Sequence, residues 1–366
     1  MKYSIAFLLL VFCSVTWFGC GSDPKPKIEP SNLVVEKTIS IDGSGLAEFM
    51  ATADDAVKFQ YSFGDGTSLQ NSTDGAASHN YINSGTYNVK VFAFSIDDLS
   101  IDKTISVTIE VDEPEISDEG YSTPESYNNM SLVWQDEFNG SALNLEDWTY
   151  EIGNGSGGWG NNELQYYTNA NTIMQDGYLT IKAKKETMGG YNYTSSRIIT
   201  KGKQEFKYGR IDIRAILPKG QGIWPALWML GSNISTVGWP KCGEIDIMEM
   251  IGGGANRDNR VYGTVHWDNA GAYASYGGNK TLSEGIFADK FHVFSIVWNE
   301  EEIIWYLDDV QYHVISLEPA ELSEFKSDYF VIFNVAVGGN WPGAPDATLI
   351  FPQRMIVDYI RVFQPE

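Results

Sequence analysis

Short segments in which apolar and polar residues alternate recur along most of this chain, and turn residues separate them. Such segments occupy residues 58–63, 87–94, 179–183, 209–215 and 291–298. A two-residue period places alternate side chains on opposite faces of a strand, so each segment predicts a half-buried β-strand. No amphipathic helical stretch of useful length appears between Ser131 and the end of the chain. These patterns favour an all-β protein.

The strand segments form two groups separated by an acidic stretch. Residues 34–111 predict a small sandwich, and 131–366 predict one large sandwich in which 302–311 form a hairpin turning at Asp308-Asp309. Residues 112–130 contain six acidic residues and two prolines within 112–125 but no basic residue there, which favours an extended linker over an acidic recognition segment. Ten of the 11 tryptophans lie in 131–366, so we expect the function there.

The composition restricts the possible ligands. The 366 residues include 25 basic and 48 acidic side chains, for a formal net charge of −23. Binding of nucleic acid requires lysine and arginine to replace counterions at phosphates, so no nucleic-acid partner is expected and polyanions in general are disfavoured. A neutral ligand bound through stacking remains compatible with 13% aromatic residues. We expect a monomer.

The first 33 residues resemble an export signal followed by a spacer. Lys2 precedes an apolar run over 5–18 that is too short to span a bilayer comfortably, and the run ends at Gly19-Cys20. A small residue directly before cysteine resembles a bacterial lipoprotein processing site, which implies a signal peptide over 1–19, lipidation of Cys20 and a spacer over 20–33. The protein would then be exported and anchored to the bacterial outer membrane or cell surface. An ordinary cleaved signal or an uncleaved anchor is the alternative.

Cysteine usage argues against stabilisation by disulfides. Cys13 would leave with the signal and Cys20 would carry lipid, so Cys242 would be the one remaining thiol. Stability would then depend on packing and on a metal ion, if one is bound.

A turn at 63–67 with the sequence Phe-Gly-Asp-Gly-Thr, followed by His79-Asn80-Tyr81, resembles the polycystic-kidney-disease (PKD) type of immunoglobulin-like domain. The resemblance covers most of 34–111 and implies a spacer. Binding of glycan or protein is the alternative, because the glycines and Asp65 need do no more than build the turn.

The segment 243–250 carries three acids within a run of isoleucine and methionine. Strand alternation places Glu244 and Asp246 on one face, but Glu249 lies at an odd offset and would point into the core. One extra residue in a β-bulge near Ile247 or Met248 would return Glu249 to the acidic face. Three adjacent carboxylates cannot all be ionised easily, so one pKa should rise and a proton should be shared, which suits a retaining glycosidase pair. A solvated outer face or a cation site is the alternative.

Four motifs, at 158–167, 222–230, 243–249 and 263–267, together resemble glycoside hydrolase family 16 in its bacterial β-1,3-glucanase (laminarinase) branch. The resemblance covers 131–366. It implies a concanavalin A-like β-jelly-roll sandwich with a glycan cleft, retaining hydrolysis, and no cofactor for the chemistry. Glu244 would be the nucleophile, Glu249 the acid/base, and Asp246 the residue that holds the proton balance between them.

The same resemblance implies a set of substrate-binding residues. Flat indoles suit the apolar faces of sugar rings. Trp298 and Trp305, which sit in alternating strands, are expected in the core instead. The residues implied for substrate binding are Trp159, Asn161, Arg197, Trp224, Trp228, Trp239 and His266.

Three further segments resemble those that bind a structural calcium ion in this family. Glu137, Gly177 and Asp358 would supply main-chain oxygens and one carboxylate. Asp358 could equally be an ordinary acid at a strand end.

Three functions therefore compete. An endo-β-1,3-glucanase leads; another activity of the same family, such as an agarase, carrageenase, mixed-linkage glucanase or transglycosylase, comes second. A glucan-binding protein without activity is third, although all three acids are present here.

Overall fold

The structure is a computed structural model that describes residues 27–112 and 115–366. The predicted signal peptide over 1–19, the predicted lipidation site at Cys20 and the first part of the spacer lie outside the described residues. Within the described part, no helix has the length and apolar character needed to cross a membrane.

The chain divides into two compact units, the first ending at Glu115 and the second spanning Ile116–Glu366. The first unit contains two antiparallel sheets, with strand orders β1-β2-β5 and β4-β3-β6-β7. Its strands are β1 (Ser31–Ile39), β2 (Leu46–Asp54), β3 (Lys58–Ser62), β4 (Gln70–Ser72), β5 (Ala76–Asn80), β6 (Gly85–Phe94) and β7 (Ser100–Ile109). The predicted small sandwich is confirmed, although its first strand begins at Ser31 and not at residue 34.

The turn at 63–67 is built as the sequence suggests. Gly64 and Gly66 have φ angles of +82° and +87°, which favour glycine. Asp65 accepts a hydrogen bond of 3.1 Å from the main-chain N–H of Thr67, and its other oxygen lies 2.6 Å from His79 Nε2. These contacts all serve the turn itself, in agreement with a structural role.

The second unit is a sandwich of two eight-stranded sheets. One sheet has the order β11-β12-β25-β16-β21-β22-β23, with β8 also pairing with β25; the other has the order β20-β19-β18-β17-β24-β14-β9, with β15 also pairing with β24. Beside them, β10 and β13 form a two-stranded parallel pair. The strands are β8 (Met130–Asp136), β9 (Thr149–Tyr150), β10 (Gln165–Tyr167), β11 (Thr172–Gln175), β12 (Tyr178–Ala183), β13 (Tyr193–Ser195), β14 (Arg197–Ile199), β15 (Glu205–Phe206), β16 (Gly209–Ile216), β17 (Ile223–Gly231), β18 (Glu244–Glu249), β19 (Arg260–Asn269), β20 (Ala272–Thr281), β21 (His292–Trp298), β22 (Glu302–Leu307), β23 (Val310–Ser316), β24 (Tyr329–Val337) and β25 (Gln353–Pro365).

Helical structure in the described residues is limited to four short segments. These are a π-type turn at Gly158–Asn162, 3₁₀ turns at Asn169–Asn171 and Ala320–Lys326, and the α-helix α1 at Ile234–Val237. The predicted hairpin is present, since β22 and β23 pair and Asp308 and Asp309 lie between them with positive φ angles.

The core of the second unit lies between the two large sheets. One cluster of buried residues combines inward-facing side chains of β12, β16, β21 and β22 with those of β17, β18, β19 and β24. Trp298 and Trp305 are buried in it, as expected. Burial of this apolar area is the main stabilising contribution to such a sandwich. It leaves the opposite face of the β17–β18–β24 sheet free to carry a cleft.

The prediction of an extended linker over 112–130 is wrong for residues 116–130, which belong to the second unit. Arg214 Nη1 donates to Asp118 Oδ1 at 2.6 Å, and the hydroxyl of Tyr127 donates to Asp212 Oδ2 at 2.7 Å. Gly120 forms an isolated bridge with Phe291. The segment is therefore held on the large sheet through Asp118, Gly120 and Tyr127, and their partners lie far away in sequence.

Candidate active site

The acidic strand β18 lies near the middle of its sheet, between β17 and β19. Asp246 pairs with Trp228 on one side and with Thr264 on the other, and Glu249 pairs with Ala226 and Tyr262. Two residues separate these pairs on β18, but only one residue separates them on each neighbouring strand. Ile247 has no partner on either neighbour, so the predicted β-bulge is present at 247–248.

The bulge places the three acids in the same cleft. Ile245, Ile247 and Met248 are completely or almost completely buried in the core, whereas Glu244, Asp246 and Glu249 line the cleft on the opposite face. Asp246 is the deepest of the three acids, with 2% of its surface exposed.

The cleft has a volume of about 620 Å³ and is lined mainly by aromatic and acidic side chains. It contains every residue that the sequence analysis assigned to catalysis or substrate binding. These residues are Glu244, Asp246, Glu249, Trp159, Asn161, Arg197, Trp224, Trp228, Trp239 and His266.

Each glutamate accepts a hydrogen bond from a different tryptophan. Trp239 Nε1 donates to Glu244 Oε2 at 3.0 Å, and Trp224 Nε1 donates to Glu249 Oε1 at 2.9 Å. The side chain of Trp239 is 51% exposed. These indoles fix the orientation of the carboxyl groups as well as providing flat surfaces in the cleft.

His266 connects Asp246 to an exposed tyrosine. Its Nε2 lies 3.0 Å from Asp246 Oδ2 and 3.6 Å from Glu244 Oε1. Its Nδ1 lies 2.7 Å from the hydroxyl of Tyr273, and the two rings stack at 5.7 Å. A hydroxyl that donates to Nδ1 leaves the proton on Nε2, where it can be donated to Asp246.

Burial raises the pKa of Glu244, Asp246 and Glu249, each to about 8. The charge of Asp246 raises the pKa of both glutamates further, whereas His266 and the two indole N–H groups lower it. The cluster therefore holds protons near neutral pH that isolated carboxyls would have lost. An acid and an ionised nucleophile can coexist under these conditions.

The other end of the cleft is formed by Arg197 and its neighbours. The guanidinium lies over the rings of Trp159 and Trp228 at 4.4 and 4.9 Å from the centroids, and its Nε donates to Glu151 Oε2 at 2.5 Å. Asn161 Nδ2 lies 3.3 Å from Glu163 Oε1. These contacts hold polar and aromatic groups in one fixed surface, suited to a sugar with both hydroxyls and apolar faces.

Trp341, Tyr273, Asn334 and Glu163 are among the cleft residues that were not predicted from the sequence. Trp341 is 39% exposed and packs edge-on against Trp224 at 5.6 Å; Tyr273 lies on the edge strand β20. Asn334 Oδ1 accepts from Trp228 Nε1 at 2.8 Å, and the buried Glu163 accepts from Asn161 Nδ2. The Asn340-Trp341-Pro342-Gly343 sequence is a usable signal for Trp341, because a turn lies on the surface and its tryptophan is then accessible to a ligand.

One group of acids and histidine in the described residues could hold a metal ion. The donor atoms of Glu244, Asp246 and His266 lie within 4.8 Å of one another. Two of these side chains already bond to each other, and Trp239 donates to the third. The arrangement is satisfied by its own hydrogen bonds and suits acid–base chemistry.

The residues predicted to bind calcium converge where β8 ends and β12 begins, beside the middle of β25. Leu179 on β12 pairs with Val357 on β25, and Asp136 on β8 pairs with Ile360, so Glu137 and Gly177 flank the segment around Asp358. Arg361 binds both carboxylate oxygens of Glu137, at 2.7 and 2.8 Å. Glu137 can therefore offer only its main-chain oxygen, as the prediction requires.

Asp358 would supply the one carboxylate of that predicted site. Arg214 Nη1 donates to its Oδ2 at 2.7 Å. A carboxylate with one oxygen in an ion pair can still offer the other to a hard cation, so the donor set is compatible with calcium.

Comparisons with known proteins agree with this site. A family model described as "Glycosyl hydrolases family 16" matches residues 160–361, and one described as "PKD domain" matches residues 22–111. Glucan endo-1,3-beta-glucosidase A1 of Niallia circulans is 39% identical over 285 residues, which cover 69% of this chain and 41% of that protein. The chain thus spans less than half the length of this relative.

Two further similarities cover most of the related protein. Beta-glucanase of Rhodothermus marinus is 42% identical over 257 residues, which cover 64% of this chain and 86% of that protein. The laminarinase catalytic domain of Thermotoga maritima MSB8 has 50% sequence identity and a TM-score of 0.60, covering 65% of this chain and 100% of that chain. With the family match extending over more than half of its residues and the acids arranged as described, the chain belongs to glycosyl hydrolase family 16.

Proposed function

We propose that this protein is a retaining endo-β-1,3-glucanase that acts on laminarin-like glucans. The observation that carries the proposal is the β-bulge at 247–248, which brings Glu244 and Glu249 into one cleft, each bonded to its own tryptophan. Relatives named laminarinase and glucan endo-1,3-beta-glucosidase support the choice of substrate.

In the first step, an oxygen of ionised Glu244 attacks the anomeric carbon and forms the glycosyl–enzyme bond. The bond from that carbon to the leaving sugar oxygen breaks, and the oxygen takes its proton from Glu249. The raised pKa of Glu249 keeps this proton available near neutral pH. The hydrogen bond from Trp239 favours the ionised form of Glu244.

In the second step, Glu249 is ionised and removes a proton from water. The water oxygen attacks the anomeric carbon from the face the leaving sugar has vacated, and Glu244 departs as a carboxylate. Two inversions give net retention of the β configuration. A sugar hydroxyl in place of water would give transglycosylation by the same sequence of bonds.

Asp246 lies between the two glutamates and shares their protons. Its charge acts on both of them, and His266 bonds to it at 3.0 Å. We infer that Asp246 carries a proton while Glu244 is ionised, because two adjacent buried carboxylates resist a second negative charge. The charge on Glu244 disappears in the covalent intermediate. Asp246, in contact with His266, can then lose its proton.

The aromatic lining supports cleavage within a chain. Trp239 lies beside Glu244, and Trp224 and Trp341 lie beside Glu249, while Trp159 and Trp228 continue the surface next to Arg197. Stacking surfaces on both sides of the acids can hold sugar units on both sides of the scissile bond. The cleft contains four acids and one arginine, which suits a neutral glucan.

Digestion of a substrate panel tests the proposal. Laminarin, mixed-linkage glucan, agarose and carrageenan are incubated with the wild-type protein, with Glu244→Gln and with Glu318→Gln, an exposed glutamate outside the cleft. We expect reducing sugar from laminarin with the wild type and Glu318→Gln, and none with Glu244→Gln. Release from agarose or carrageenan alone would assign another activity of the family, and no release from any glycan would leave a binding protein.

We also propose that Glu137, Gly177 and Asp358 hold a structural calcium ion, away from the catalytic acids. Bound calcium would join the end of β8 and the start of β12 to the middle of β25 and so stabilise the folded state. Melting of the wild type in EGTA and in excess calcium tests this. We expect a higher melting temperature with calcium, and no calcium effect in Asp358→Asn; equal melting of the wild type in both solutions would contradict the proposal.

The sequence before residue 27 supports a further proposal, that Cys20 is lipidated and anchors the protein to a bacterial membrane after export. Growth of expressing cells with an alkyne-labelled fatty acid tests it. We expect label in the wild type and none in Cys20→Ala, and label in neither would contradict it.

Light scattering of the protein lacking residues 1–20 should report a monomer.

A further inference from the structure

The core tryptophan Trp305 contacts the catalytic strand at the residue where its register changes. Its Nε1 donates to the main-chain oxygen of Asp246 at 2.8 Å. Trp305 lies on β22 of the opposite sheet and is fully buried. A side chain from one sheet therefore crosses the core and bonds to the backbone of the other.

The position of this bond on β18 is specific. Asp246 is the last residue of the strand in regular register with both neighbours, and Ile247 has no partner on either. A bulge rotates peptide groups out of the plane of the sheet, and a buried carbonyl turned toward an apolar core requires a donor there. The indole of Trp305 supplies that donor.

The surroundings of Trp305 are shaped to hold the indole in this place. A Cβ on Gly263 would lie 2.3 Å from Trp305 Cδ1 and 2.6 Å from its Nε1, so only glycine leaves room for the ring. Gly263 lies on β19, next to the residue paired with Asp246, and its φ angle is not positive. The ring of His313 also packs against the indole, with ring centroids 5.0 Å apart.

We propose that Trp305 is a positioning residue for the reaction, holding the β-bulge in the conformation that sets Glu249 relative to Glu244. Glu244 precedes the bulge and Glu249 follows it, so the bulge fixes the separation and relative orientation of the acid and the nucleophile. Trp305 lies on the core side and does not line the cleft, so it acts on the reaction only through the strand. This inference rests on the proposed retaining hydrolysis.

Trp298 provides a matched control. It is also a buried core tryptophan of the same sheet, and its Nε1 donates to a main-chain oxygen, that of Phe325, at 3.0 Å. That bond lies away from β18. Trp305→Phe and Trp298→Phe therefore remove equivalent groups, and only the first leaves the bulge without its donor.

The test compares two substrates that differ in their need for Glu249. Laminarin has a poor leaving group that must be protonated, whereas dinitrophenyl β-laminaribioside has a leaving group that departs without a proton. For Trp305→Phe we expect kcat on laminarin to fall about 100-fold with little change in KM, because small displacements of catalytic groups have effects of that size. The value of kcat/KM on the dinitrophenyl glycoside should fall much less. Trp298→Phe should keep the wild-type ratio of kcat/KM on laminarin to kcat/KM on the dinitrophenyl glycoside.

A second variant guards against loss of folding. Gly263→Ala keeps the indole N–H but forces the ring from its place. If the position of Trp305 sets the bulge, this variant should show the same fall in kcat on laminarin, with a much smaller fall on the dinitrophenyl glycoside. Equal losses on both substrates for Trp305→Phe and Gly263→Ala, or wild-type kcat in both folded variants, would overturn the inference. Failure of the wild type to hydrolyse laminarin would contradict the proposed function instead.

Discussion

Trp239 donates an indole hydrogen bond of 3.0 Å to Glu244, the acid to which we assign the role of nucleophile. The indole is half-exposed in the cleft and thus combines a stacking surface with control of a protonation state. A donor to a carboxylate favours its ionised form, and this bond lowers the pKa of Glu244 against the effect of burial.

Trp239→Phe should shift the acidic limb of the pH–rate profile to higher pH. Loss of the indole N–H raises the pKa of Glu244, so a higher pH is needed to ionise the nucleophile. The shift should be roughly one unit, as expected for loss of one charge-assisted hydrogen bond. Measurement of kcat/KM on laminarin across the pH range checks this, and an unchanged acidic limb would argue against the assigned role of Glu244.

Trp224→Phe should affect the opposite limb. Trp224 donates to Glu249 and lowers its pKa, so its loss raises that pKa and keeps the acid protonated to higher pH. The basic limb of kcat/KM should therefore move upward while the acidic limb stays in place. If both variants moved the same limb, the roles of the two glutamates could not be separate ones.

Tyr273→Phe should lower kcat on laminarin roughly tenfold, the effect expected from loss of one hydrogen bond in the site. The hydroxyl lies 2.7 Å from His266 Nδ1, and without it the ring proton is no longer directed to Asp246. Tyr276→Phe is the control, because Tyr276 lies on the same strand with similar exposure but packs against His313. Equal activity of the two variants would exclude this role for the hydroxyl.

The acid cluster should make the folded state less stable as the pH rises. Burial raises the pKa of Asp246 to about 8 in the folded state, so the folded protein binds protons more tightly than the unfolded chain. Stability is therefore greatest below the unfolded pKa, at roughly pH 4, and declines toward the folded pKa. Other groups of the protein titrate over the same range.

Asp246→Asn isolates the contribution of this residue. The amide cannot ionise, so the difference in melting temperature between Asp246→Asn and the wild type should grow between pH 5 and pH 8, exceeding roughly 2 °C at the upper end. Thermal melts across this range provide the measurement. A constant difference would mean that Asp246 titrates at an ordinary pKa.

The segment over 116–130 should contribute to the stability of the second unit and not to its catalysis. Tyr127 donates to Asp212 Oδ2 at 2.7 Å, and the side chain of Asp212 is fully buried. Tyr127→Phe should lower the free energy of unfolding by about 1–2 kcal/mol, because it removes a bond to a buried charged group. Tyr121→Phe, which loses a bond to the more exposed Asp309, should have a smaller effect. Denaturant titration measures the free energy of unfolding. The value of kcat on laminarin measures catalysis and should stay unchanged.

Much of the site could be predicted because its determinants are local in sequence. The spacing of Glu244, Asp246 and Glu249 requires a bulge if all three share a face, and the structure contains one. The roles of Trp224 and Trp239 as donors to the acids could not be predicted, because a sequence does not specify which way an indole N–H points. Trp305 was expected in the core and lies there, but its bond to Asp246 joins strands 59 residues apart.

The error over the linker has a different cause. Six acids without a neighbouring lysine or arginine look self-repelling when only their own segment is considered. Arg214, however, lies on β16 almost a hundred residues away and projects from the large sheet to meet Asp118. Charge balance in a β-sandwich is set by strands brought together by the fold, which the local sequence does not contain.

In the proposed mechanism, Glu244 and Glu249 hydrolyse β-1,3-glucan with retention of the β configuration. The most direct test follows the anomeric protons of the first product from laminarin by NMR, with wild-type protein and with Glu244→Gln. We expect the β anomer to appear first with the wild type and to equilibrate slowly to the mixture, and we expect Glu244→Gln to release no product. Initial release of the α anomer, or full activity in Glu244→Gln, would contradict it.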